Sequence, residues 1–252
     1  MGHERLGMLP KTKKWRVIVS EVAAYESGSI AASSIAEQTL AALGSRYRDL
    51  ANDPSVRATF SFLVEIAQSA ASLETTTSIA DKSPLDLVSE LARRMRATTS
   101  GSLETRELAQ RAAADAIVTW HRENYAEQTD LFLDSAPRSR WNGLGSGAGF
   151  CEMSRLYFAK LTERYLHYFL EREASAVIAD LGARERFKNR LSAHVSEVSR
   201  HSFESARITQ SYAAGWFNKN ARGTSPSNTQ TKKFLAYAFE KLREEFRREG
   251  KQ

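Results

Sequence analysis

The sequence predicts an all-α protein of seven or eight helices, with long central helices and a tethered C-terminal one. Three observations carry this expectation. Apolar residues recur at steps of three and four almost throughout, and clean alternation at a period of two is hard to find. Asp53-Pro54 and Ser83-Pro84 each place a capping side chain before a proline at a first helical position. The stretch from Phe150 to Ile178 is apolar on most of its circumference, as a central or covered helix is.

In chain order, Trp15, Ile18 and Val22 mark a first helix, although Val17-Ile18-Val19 also suits a short strand. Residues 29–51 read as a second helix, with Ile35, Leu40, Leu43, Tyr47 and Leu50 inward. The helix opened by Asp53-Pro54 carries Val56, Phe60, Leu63 and Ala67 on one face. Residues 69–82 are rich in Ser and Thr and read as a loop. After Ser83-Pro84, with Asp86 in capping-box position, come Leu87, Leu91 and Met95. Ser102 opens a helix with Leu108, Ala112, Ala116 and Trp120 inward. The irregular stretch 126–148 holds Trp141 and the start of the glycine run 143–149, and loops of that length usually have a use. Phe187, Leu191, His194, Val198, His201, Ser205, Ile208 and Tyr212 then form a heptad-like seam. Residues 218–230 have the composition of a flexible linker. Phe234, Leu235, Ala238, Leu242 and Phe246 stripe the last helix. The chain thus divides into a helical region 1–125, a loop 126–149, a long-helix hairpin 150–217, and a linker with an amphipathic helix at 218–252. A single domain is the alternative.

With 252 residues, a core burying roughly 70–75% of the unfolded surface needs neither disulfides nor metal. Cys151 is the one cysteine, which rules out an intrachain disulfide framework. No run approaches 18 apolar residues, and the first 20 residues lack an apolar signal segment, so a cytoplasmic protein is expected. The net charge of +6 is uneven. Residues 1–20 hold five Lys/Arg against one Glu, and 201–252 hold ten against five, while 21–200 are slightly acidic. Clustered positive charge suits phosphate or an acidic partner.

No reaction motif emerges. The glycine run precedes a helix, where phosphate can meet backbone N–H groups, but lacks the Lys-Ser/Thr ending of a P-loop. No cofactor is therefore implied. Glu163 and His167 share a helix face, as do His194, Glu197 and His201, so Glu163, His167, His194 and His201 are the candidates for a metal held between two helices. Their spacing of four departs from the three of di-metal bundles, and seam histidines bonded to neighbouring glutamates are the plainer account. Cys151, near a helix start, is the only thiol, with no base beside it.

The opening Gly2-His3-Glu4-Arg5-Leu6-Gly7-Met8-Leu9-Pro10-Lys11-Thr12-Lys13-Lys14-Trp15 and the segment Leu161-Thr162-Glu163-Arg164-Tyr165-Leu166-His167-Tyr168-Phe169-Leu170-Glu171-Arg172-Glu173 resemble stretches of small helical proteins encoded in bacterial anti-phage defence operons. The resemblance covers about a tenth of the chain and implies an accessory subunit beside a catalytic partner.

Two functions compete before a metal enzyme. The first is a non-catalytic adaptor that docks other protein subunits through Trp141, Phe234, Leu242 and Phe246, with homo-oligomers also open. The second is nucleic-acid binding through Lys11, Lys13, Lys14, Lys232, Lys233, Arg243, Arg247 and Arg248.

Overall fold

The computed structural model describes residues 9–72, 82–97, 101–125, 141, 143–204 and 212–249. Among these are ten α-helices and no strand: α1 Lys13–Ala24, α2 Ala32–Ala42, α3 Gly44–Asp49, α4 Pro54–Ala71, α5 Pro84–Ala97, α6 Leu103–Tyr125, α7 Gly147–Val177, α8 Leu181–Glu204, α9 Tyr212–Asn220 and α10 Asn228–Glu249. Tyr25–Ser27 and Leu50–Asn52 form 3₁₀ turns.

Side-chain caps set most helix starts. Asp53 accepts from the amides of Ser55 and Val56 at 2.7 and 3.3 Å, and Pro54 has no donor to lose. Ser83 and Asp86 close a capping box across α5. Thr12 caps α1, Ser146 caps α7, and Ser227 with Gln230 forms a second box at α10. Val17–Val19, which also suited a strand, is inside α1.

The predicted helix 29–51 is broken in two. Leu43 leaves the helical region at φ −91°, ψ 5°, and Gly44, a weak helix former, begins α3. The break keeps both Leu40 and Tyr47 buried, and Tyr47 reaches Thr162 of α7 at 2.7 Å. Such breaks raise the helix count above the expected seven or eight.

Helix α7 is the axis, packed against α1, α4, α6, α8 and α9. Its all-round apolar character follows, because Phe150, Phe158, Leu161, Tyr165, Leu166 and Phe169 all lose their water. One continuous core runs from Trp15 to Phe246.

The terminal helix belongs to that core. Phe234 stacks on Phe60 at 5.1 Å, and Phe239 meets Tyr47 at 5.1 Å and Phe158 at 5.2 Å. The expected linker 218–230 is helical at both ends, and Gln68 donates to the carbonyls of Ala221 and Thr224 between them. Composition suggested slack, but burial of six apolar side chains on one face outweighs it.

The described part of the glycine run is a packing device. A Cβ on Gly145 would lie 2.4 Å from the Ala71 amide, and one on Gly149 would lie 2.2 Å from the Gly143 carbonyl. Glycine lets the turn press onto the end of α4. Residues 126–140 and 142 of the expected loop, and 205–211 of the expected seam, lie outside the described residues.

Candidate functional site

The four side chains expected to dock a partner are all inside the molecule. Trp141 has 0% exposure, stacks on Trp120 at 5.7 Å and donates from Nε1 to the Lys82 carbonyl at 3.0 Å. Phe234, Leu242 and Phe246 face α4, α7 and α8 within the core. An apolar stripe without a partner in sequence found one in its own fold.

The basic residues fall into two places. Trp15 is buried against Phe169 and donates to Glu173, so the exposed Lys11, Lys13, Lys14 and Arg16 cluster around the C-terminal end of α7. Phe234 sits against Phe150 and Phe158, at the other end of that helix. At 1.5 Å per residue, the two anchor points are roughly 15–30 Å apart along α7. The N-terminal cations and Lys232 and Lys233 therefore do not make one basic surface.

At the second end, α9 and the first half of α10 build a face of unusual make-up. Residues 205–239 contain no Asp or Glu. Lys219, Arg222, Lys232 and Lys233 are exposed, and no ion pair engages them among the described residues. A groove of about 290 Å³ beside them is lined by Tyr212, Trp216, Phe234, Tyr237, Lys233, Asn220 and Gln230. Tyr237 is 47% exposed, lies 4.9 Å from Tyr212, and carries the Lys241 ammonium 5.6 Å above its ring. Trp216 is half-buried, and its inner side rests on Phe150 and Phe234. The face arises because every fourth residue of α10 beyond its buried stripe, Lys233, Tyr237 and Lys241, points one way.

Most of the cations in the second half of α10 are paired. Arg243 pairs with Glu240, Lys241 with Glu244 and Arg248 with Glu245, each within one helical turn. Arg247 is exposed.

The four expected metal ligands separate. Glu163 and His167 line a charged cleft of about 480 Å³ between α6, α7 and α8, shared with Leu108, Arg111, Asp115, Arg164, Tyr168, Glu171 and Lys188. His194 lies edge-on to Phe246 at 5.4 Å, and His201 bonds Glu249 at 2.9 Å and Glu197 at 3.1 Å. His201, Glu245 and Glu249 do bring ligand atoms within 4.8 Å of one another. Arg248 pairs with Glu245, and His201 bridges Glu249 and Glu197.

In the cleft, burial pushes the Glu163 carboxyl up, but the Ser192 hydroxyl and the Lys160 ammonium outweigh it and hold it below its ordinary value. Burial pushes the His167 imidazole down, against the pull of Glu171 and Glu163. Ser192, which meets His167 Nε2 at 3.0 Å, has no signal in the sequence. It lies 25 residues from His167, and only the antiparallel packing of α7 and α8 joins them. Cys151 lies a full turn inside α7, away from the free amides that would activate a thiol.

Among the described residues no helix is long and apolar enough to cross a membrane. No protein-family model, curated protein or solved structure matches the chain.

Proposed function

We propose that this chain is an accessory protein that binds single-stranded nucleic acid along the face made by α9 and the first half of α10. The observation that carries the reading is the coincidence of a carboxylate-free run, residues 205–239, with partly exposed aromatic rings at Tyr212, Trp216 and Tyr237. Unpaired lysines and an arginine supply the phosphate attraction. Aromatic faces supply stacking, which accepts any base and requires bases out of the duplex. The groove walls are mainly rings, which suits a base, and the amides of Asn220 and Gln230 stand at its side.

The expectation of a purely protein-docking adaptor has lost the side chains that supported it, since they fill the core. It keeps the resemblance of residues 2–15 and 161–173 to accessory proteins of defence operons. An accessory role beside a nucleic-acid-processing enzyme unites that resemblance with the α9–α10 face.

Fluorescence anisotropy of a labelled oligothymidine across a salt series tests the reading. Affinity should fall with salt along a log–log line with a slope of about −0.7 per phosphate neutralised. Absence of binding at low salt, together with capture of a protein partner that survives nuclease, would return the chain to the adaptor class.

A further inference from the structure

We propose that Ser192, His167 and Glu171 form a nucleophile–base–acid site that hydrolyses small carboxylic esters. Oγ of Ser192 stands 3.0 Å from Nε2 of His167, and Nδ1 of the same ring stands 3.2 Å from Oε1 of Glu171. A hydroxyl on one ring nitrogen and a carboxylate on the other is the arrangement that turns a serine into a nucleophile.

The fold holds it in place. His167 and Glu171 are one turn apart on α7, so their facing is fixed by the helix. His167 is 9% exposed, which limits its rotamers, while Glu171 and Ser192 reach solvent. Lys188, one turn before Ser192 on α8, stands 3.6 Å from Glu171 and holds that carboxylate toward the ring. The cleft that His167 and Glu171 line, and that Ser192 adjoins through His167, has room for a small ester. Its charged side chains, Arg111, Arg164 and Lys188 against Asp115, Glu163 and Glu171, balance one another, and Leu108 and Tyr168 add apolar wall. A short, uncharged acyl ester fits that lining best.

In the reaction, Ser192 Oγ bonds to the ester carbonyl carbon as its proton passes to His167 Nε2. The carbon–alkoxy bond then breaks, and the imidazolium returns the proton to the departing alcohol. Water, deprotonated by the same nitrogen, adds to the acyl carbon; the bond to Ser192 Oγ breaks, the imidazolium returns its proton to that oxygen, and the carboxylic acid leaves. Lys188 supplies positive charge beside the developing oxyanion. Glu171 acts as a positioning residue, holding the tautomer with the proton on Nδ1.

Burial holds the imidazole below its ordinary value, which leaves it unprotonated and free to accept a proton near neutral pH. The groups that face it are Glu163, Arg164 and Glu171 on α7 and Lys188 on α8, with Arg111 and Asp115 of α6 across the cleft. Glu163 is the rival claimant on the serine proton. The Ser192 hydroxyl donates to that carboxylate at rest, so it must rotate onto Nε2 before attack, and a hydroxyl locked on Glu163 makes Ser192 a structural bridge and the site inert.

Labelling with a fluorophosphonate decides between these. Oγ displaces fluoride at phosphorus, the proton goes to His167, and the adduct is read by intact mass and peptide mapping. One adduct at Ser192 is expected. It should be absent in Ser192→Ala and slowed about 100-fold or more in His167→Asn. Glu171→Gln should slow labelling and move its pH midpoint downward, because a carboxylate that stabilises the imidazolium is gone. Far-UV circular dichroism verifies that each variant is folded, and Ser192→Ala removes only one oxygen. No adduct, an adduct elsewhere, or wild-type labelling in His167→Asn overturns the proposal.

Discussion

The two halves of α10 carry opposite lessons about charge. Its second half has four basic residues, Lys241, Arg243, Arg247 and Arg248, but also Glu240, Glu244, Glu245 and Glu249, and three of the cations are paired within a turn. Its first half has only Lys232 and Lys233, with no carboxylate, and adjoins Lys219 and Arg222 across the turn from α9. Counting cations favours the second half as the phosphate contact. Counting unpaired cations beside exposed rings favours the first. Surface pairs contribute little to stability, but they remove the field that would attract an anion.

The comparison can be broken most severely through the core that both halves share. Phe239→Ala, at their junction, should cost about 3–5 kcal/mol in urea unfolding, since its ring is fully buried between Tyr47 and Phe158. A helix merely tethered to the body would lose nothing. Next in size, Tyr237→Ala should weaken oligothymidine binding about 5- to 150-fold, the loss of one stacked base. Lys232→Glu with Lys233→Glu should make the salt slope shallower by about 1.4, two single-strand phosphate contacts.

A smaller effect sharpens the second half. His194 lies against Phe246, and burial holds its imidazole below the ordinary 6.5 despite Glu249 and Glu197, as burial does for His167. As pH falls through 6.5 the unfolded chain takes up these protons first, so stability present above that value drains away on acidification. His194→Gln should recover part of the stability lost between pH 7 and pH 5.5. The smallest effect is expected at Arg243→Gln with Arg248→Gln: affinity within about two-fold and stability within about 0.5 kcal/mol, because these cations serve only their glutamates.

Local chemistry was legible in the sequence and long-range chemistry was not. Asp53-Pro54, Ser83 with Asp86 and the stripe of α7 were readable because caps and helical periods involve residues a few positions apart. The burial of Trp141 depends on Trp120 and the Lys82 carbonyl, 59 residues away, so an indole in a glycine-rich loop looked free. The stripe of α10 was also plain, but whether it covers its own chain or another is a matter of packing. The cleft was half visible: Glu163 and His167 share a turn, while Ser192, which adjoins the cleft through His167, comes from the next helix. The carboxylate-free run was hidden inside a net charge taken over 52 residues.

Photo-crosslinking of the intact protein to oligothymidine, followed by peptide mapping, tests the central claim most directly. The account predicts adducts at Tyr212, Trp216 or Tyr237, lost when salt is raised. Adducts confined to Lys11–Arg16 or to the paired half of α10, or none at low salt, would contradict it.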